Sequence, residues 1–234
     1  DNAFKGCSAL ASVYAQAQTL PTLGTTVFNS KPACYVPTGQ LATYQASEWA
    51  NYATNITEQD KKCGDNLYYL FADSTLTIVG TGEMNYSSRP WTSTAIARVF
   101  LPDGLKSIGS SAFYDSKLTS ISLPNTLTII NYRAFRGCSQ LTSIVLPDSI
   151  TTIGQNAFYY SGIYNSTANW EDGALYIGDY LITTNSNLPA TYAIKEGTRL
   201  IADYTFGGKS SSLTSVIIPE SVVGIGERAF YNCD

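Results

Sequence analysis

The stretch SSAFYDSKLTSISLPNTLTII (110–130) is succeeded by YRAFRGCSQLTSIVLPDSITTI (132–153), and QNAFYYS (155–161) opens the same phrase a third time. The phenylalanine of the Ala-Phe pair falls at Phe113, Phe135 and Phe158, in steps of 22 and 23 residues, and the phrase returns in SLTSVIIPESVVGIGERAFYNC (212–233). A fixed period of this length marks a solenoid: one repeat is one coil, and a coil buries its apolar face only by stacking on its neighbours. The fold class is therefore a mainly β repeat solenoid with coils of 22–24 residues. A surface built by repetition also argues against a single catalytic centre.

One coil reads L-x-x-I-x-L-P, then L-x-x-I-G, then x-x-A-F-x-x-C/S. In the first block Leu118, Ile121 and Leu123 point one way while Ser120 and Ser122 point the other. That alternation is the signal of a strand, which Pro124, Pro147 and Pro219 then end. The second block adds aliphatic pairs: Leu105 and Ile108, Leu127 and Ile130, Ile150 and Ile153, Val222 and Ile225. Ala112, Ala134, Ala157 and Ala229 sit beside the phenylalanines, where a small residue allows close packing of the turn. Stacked coils should give ladders of Leu, Ile, Ala and Phe in one core.

These residues resemble the BspA-like (Treponema pallidum-type) leucine-rich repeats of bacterial cell-surface proteins, in both the A-F-x-x-C-x-x-L-x-x-I-x-L-P order and the spacing. The resemblance implies a right-handed solenoid. It implies that CGDNLYYLFADSTLTIVGTGEMNYSSRPW (63–91) opens an array, with a capping hairpin at 66–80. TTVFNSKPACYVPTGQLATYQASEWANY (25–52) looks like the unit that terminates one, with a short helix near 38–53. DGALYIGDYLITTNSNLPATYAIKEGTRLIADYTF (172–206) resembles the longer coil that carries an inserted β-hairpin, and the Phe spacing duly jumps to 48 between Phe158 and Phe206. Residues 1–56 thus read as the end of one array, 57–65 (TEQDKKCGD) as a linker, and 66–234 as the beginning of a second array. The chain starts and stops mid-repeat, which predicts that it is a piece of a longer protein. Both ends share one phase, so head-to-tail self-association through open repeat ends is a further expectation.

Charged residues are 14% of the chain and the net charge is −4, with Lys and Arg scattered, so no nucleic-acid groove is expected. No apolar run approaches the roughly 18–20 residues of a membrane span. Histidine is absent, which removes the usual general base, the Ser-His and Cys-His nucleophile pairs and the commonest zinc ligand. Asp103, Asp148 and Glu220 each follow a repeat proline, a slot that Asn125 fills elsewhere, so they read as turn residues rather than an acid/base pair. Cys7, Cys138 and Cys233 share a repeat position with Ser116 and Ser161, which reads as a small buried residue near backbone polar groups. Five cysteines without a C-x-x-C pair point to free thiols, with a Cys34–Cys63 disulfide as the alternative. No cofactor, metal site or catalytic residue is expected, and the chain does not read as an enzyme.

A solenoid displays each variable position as a row. On the strand face the outward position before the last core residue reads Phe100, Ser122, Val145, Ala193 and Ile217; two residues earlier it reads Arg98, Ser120, Ser143, Thr191 and Ser215. A row containing Phe, Val and Ile is more apolar than solvation favours, which suggests a ligand-facing stripe flanked by hydroxyls or else a face covered by other parts of the chain. A second row follows the Ala-Phe pair: Tyr114, Arg136, Tyr159 and Tyr231. Tyr and Arg are common interface anchors, but the same row could be packing against itself. The resemblance implies non-catalytic binding at the cell surface, with an extracellular protein or glycan ligand such as a host matrix protein or another cell. The alternatives are a passive spacer that presents another domain and a carbohydrate-binding module.

Overall fold

The structure, a computed structural model, describes residues 3–15, 19–24, 27–28, 30–37, 39–58, 61–84, 91, 93–208 and 213–233. Parts of three expected segments lie outside the described residues: 25–26, 29 and 38 in the terminating unit, 59–60 in the linker and 85–90 in the array opening. The chain forms two compact units, Asp1–Lys62 and Cys63–Asp234.

In the first unit, β1 (Ser12–Tyr14), β2 (Ala33–Val36) and β3 (Ile56–Glu58) make a parallel sheet in that order. Parallel in-register strands put like on like: Tyr14 stacks on Tyr35 at 4.9 Å, and Phe4 on Phe28 at 5.0 Å. The helix expected near 38–53 is two short ones, α1 (Leu41–Gln45) and α2 (Trp49–Tyr52). Ser47 explains the break. Its hydroxyl donates to the Tyr44 carbonyl (2.7 Å) and accepts from the Trp49 N–H (3.2 Å), so one side chain bonds both the end of the first helix and the first N–H of the second. Tyr44 and Trp49 then bury against Cys34 and Val36.

The second unit opens with an antiparallel hairpin, β4 (Asn66–Ala72) and β5 (Thr75–Glu83), longer than the expected 66–80. Its two turn residues, Asp73 and Ser74, both have positive φ (48° and 59°), the tight turn whose twist matches the flanking strands. A side chain at Gly80 would meet the Asn66 carbonyl at 1.9 Å, so the pairing requires glycine there. The nine-residue β5 is long enough to take two parallel partners: β6 (Arg98–Phe100) beside Thr75–Thr77, and β7 (Gly104–Ile108) beside Thr81–Glu83. One hairpin therefore seeds both strand positions of the first coil.

From β7 the ladder runs through β8 (Ile129–Ile130) and β9 (Thr152–Ile153), pairing Ile108, Ile130 and Ile153 in register. All three are fully buried, contributing roughly 1.5–3 kcal/mol each. Hydroxyls tighten the stack: Thr128 donates to the Lys106 carbonyl (3.1 Å) and Thr151 to that of Thr128 (3.2 Å). This ladder lies in the L-x-x-I-G block. Among the described residues of the second unit, the L-x-x-I-x-L-P block, read from its alternation as the strand of every coil, pairs at β6, β13 (Thr191–Ala193) and β15 (Ser215–Ile217). Residues 118–123 and 141–146 keep the alternating burial but form no ladder. The coils pair along the L-x-x-I-G block, and they splay where 118–123 and 141–146 form no ladder.

The Ala-Phe turns stack independently of the strands. Phe113, Phe135 and Phe158 lie ring on ring at 5.3 and 5.4 Å, all fully buried. Two residues before each Phe the backbone is left-handed: Ser111, Arg133, Asn156, Tyr204 and Arg228 have φ between 52° and 59°. Two residues after each Phe it is left-handed again, at Asp115, Gly137, Tyr160, Gly208 and Asn232. This geometry aims alternate N–H groups along the stack: Ser111, Phe113 and Asp115 donate to Tyr132, Ala134 and Arg136 of the next coil at 2.8–2.9 Å. The shared Cys/Ser slot is part of the same stack, with the Cys138 thiol donating to the Phe113 carbonyl (2.9 Å).

The long coil inserts α3 (Gly162–Asn165), β10 (Trp170–Glu171), β11 (Ala174–Ile177) and β12 (Tyr180–Thr184), the last two being the expected hairpin. The parallel ladder then resumes through β14 (Leu200–Ile201) and β16 (Gly224–Ile225). Trp170 fastens the insertion by donating from its indole to the Tyr164 carbonyl (2.8 Å).

Candidate ligand-binding face

The splay between coils shapes the strand face. Phe100 stands at the end of β6, where pairing with Thr77 holds its backbone and the alternation turns its ring outward. The outward row is solvent-exposed, with Phe100 at 61%, Val145 at 84% and Ile217 at 57% of full exposure. Arg98, Ser120, Ser122, Ser143 and Ser215 are also exposed, so hydroxyls flank the apolar side chains as the alternation predicted. Within this row the structure brings Phe100 and Ser122 together on one groove of about 410 Å³, while Val145 and Ile217 stand on other coils.

Phe100, Leu101 and Asp103 form one wall of that groove, and Ser122, Leu123 and Asn125 the other. Asp103 and Asn125 were read as turn punctuation after a proline. Their place as groove walls follows from the splay between two coils, and the only sequence signal for it is that both occupy the same slot one coil apart.

The Tyr/Arg row is a different surface. The Arg136 guanidinium lies over Tyr114 (5.1 Å) and Tyr159 (5.7 Å) and donates to the Tyr114 hydroxyl. The Tyr159 hydroxyl is held above its ordinary pKa by its hydrogen bond to Tyr160 and then by burial. Tyr231 is not part of this group; it meets Tyr204 and Arg228, the guanidinium lying 5.7 Å from its ring. Both clusters pack their guanidinium against their own tyrosine rings along the turn side.

Chemistry of other kinds finds little support. A second hollow of about 370 Å³ carries Asp65 and Glu83, but both carboxylates are exposed and lack the desolvated setting of a general acid. Among the described residues no group of three or more His, Cys, Asp or Glu could hold a metal ion. No helix among them is long and apolar enough to cross a membrane. None of the five cysteines forms a disulfide, and burial pushes the Cys34 thiol up to about 11 and that of Cys63 to about 12.

Residues 93–234 match the BspA type leucine rich repeat region, in six copies. The chain belongs to the BspA-type leucine-rich repeat family. Among curated proteins no match is found. Among solved structures, this BspA-type chain is 20% identical to a leucine-rich repeat protein from Eubacterium ventriosum, at a TM-score of 0.34, covering 72% of this chain and 62% of that one. It is 21% identical to the pneumococcal vaccine antigen PcpA, at a TM-score of 0.35, covering 95% and 54%. A leucine rich cell surface protein from Faecalibacterium prausnitzii is likewise 21% identical, at a TM-score of 0.34, covering 95% and 62%. The BspA-type chain thus spans less than two thirds of each of these three proteins.

Proposed function

We propose that this chain is a non-catalytic binding protein of the bacterial cell surface, contacting extracellular protein or glycan ligands through its strand face. The surface location rests on family membership. The binding reading rests on one observation: Phe100, Val145 and Ile217 hold large apolar side chains out into solvent on the same repeat position of three coils. Burying such a side chain is worth up to roughly 1.5–3 kcal/mol, so each rung makes a weak contact. Repetition along a rigid face adds the contacts up, as adhesion to host matrix proteins, other cells or surface glycans requires.

The test is capture on arrayed matrix proteins and glycans, with Phe100→Ser/Val145→Ser/Ile217→Ser beside the wild type. All three residues are exposed, so the variant should keep its Tm. The expected result is at least a tenfold loss of capture at unchanged Tm. Equal capture by the two proteins would remove the strand face as the site, and no capture by either would favour the spacer.

A further inference from the structure

The groove between the first two coils has a composition of its own. Its one large flat surface is the outward ring of Phe100, and within the same hollow stand a carboxylate, a hydroxyl and an amide: Asp103, Ser122 and Asn125. All four residues are exposed. Among the described residues the side chains of Asp103, Ser122 and Asn125 make no hydrogen bond or ion pair, although the neighbouring Thr126 hydroxyl reaches back to the Asp103 carbonyl. The polar groups are therefore free for a ligand. Its volume, about 410 Å³, is at the small end of the range of about 300–1,000 Å³ typical of small-ligand sites.

These groups select a ligand class. The carboxylate of Asp103 only accepts hydrogen bonds, Ser122 donates and accepts, and Asn125 offers two donors and an acceptor. Their complement is a molecule whose edge carries several groups able both to donate and to accept. The Phe100 ring asks for a flat apolar face next to that edge. A pyranose has both, with hydroxyls around its rim and C–H bonds across its face. An anionic ligand would meet the Asp103 carboxylate unfavourably. A cationic side chain would find in phenylalanine a weaker partner than the tryptophan that cation–π sites prefer.

We infer that this groove takes one hexopyranose ring of a neutral oligosaccharide, stacked on Phe100 and hydrogen-bonded by Asp103, Ser122 and Asn125. The inference rests on the strand face being the binding surface and specifies what its first rung holds. Leu101 and Leu123 add an apolar side chain to each of its two walls.

The experiment titrates the whole chain with cellotetraose, chitotetraose and mannotetraose, following calorimetry and the Phe100 ring signals by NMR. At least one sugar should bind and shift the ring signals. Phe100→Ala should weaken that binding at least tenfold and Asp103→Asn several-fold. Val223→Ser, a change at a still more exposed residue away from the groove, should leave it unchanged. Binding of none of the three sugars overturns the inference, as does binding that survives Phe100→Ala. The broader reading fails separately: a matrix protein captured by the wild type and lost in the triple variant, with no sugar bound, keeps the strand face and replaces the sugar with polypeptide.

Discussion

The cost of each coil is concentrated at its two left-handed residues. Only Gly137 and Gly208 among these ten positions are glycine; the other eight, Ser111, Asp115, Arg133, Asn156, Tyr160, Tyr204, Arg228 and Asn232, hold the geometry with a side chain. This feature was invisible in the sequence, because no recurring glycine marks it; it is imposed by the N–H groups that must reach the next coil. At Gly137 (φ 73°) an added Cβ would also meet Asp115 Oδ1 at 1.7 Å. Gly137→Ala should therefore cost about 1–2 kcal/mol from backbone strain, plus displacement of Asp115, whereas Asn156→Gly should change stability by less than about 1 kcal/mol. Urea midpoints check both, and an unshifted Gly137→Ala would contradict the stacked-turn geometry. The thiols give a second residue-level test. Cys34, Cys63 and Cys138 are buried with raised pKa values, while Cys7 is exposed and Cys233 half-buried. In native protein at pH 8 a thiol reagent should label Cys7 and Cys233 quickly and leave the other three until denaturant is added.

At the scale of the element, the repeat phrase carried the Phe ladder and the aliphatic ladder, because both depend on side-chain periodicity along one coil, whereas the capping hairpin and the inserted hairpin were legible only through the family resemblance. It did not carry the strand assignment. Alternation at 118–123 reports which side chains face the core, but whether neighbouring backbones pair depends on how closely coils approach, and that is set by the second block and the turns. The groove is a product of the same splay, so Asp103 and Asn125 could not be recognised as its walls from one coil alone. The ladder reading makes a quantitative demand. Phe135 lies between Phe113 and Phe158 and is fully buried, so Phe135→Ala should cost about 3–5 kcal/mol through lost burial and a residual cavity. A change below about 1 kcal/mol in chemical denaturation would mean that the rings do not form a continuous core.

For the whole molecule, the period decides the class. Ile108, Ile130, Ile153 and Ile201 are closed over by the next coil, whereas their equivalent Ile225 is 52% exposed, and Phe4 in the first unit is 41% exposed. The head-to-tail expectation translates into a mass that rises with concentration in light scattering, and a constant monomer mass across that range would contradict it. The proposed binding surface is a different one, the strand face, and its rival is the turn side with its tyrosines. The most direct measurement takes whichever arrayed component the wild type captures most strongly and compares its Kd for Phe100→Ser/Val145→Ser/Ile217→Ser with that for Tyr160→Ser/Tyr231→Ser. Loss of at least tenfold in the first variant and none in the second is the predicted result. The reverse pattern would place the ligand on the turn side and contradict the assignment of the strand face.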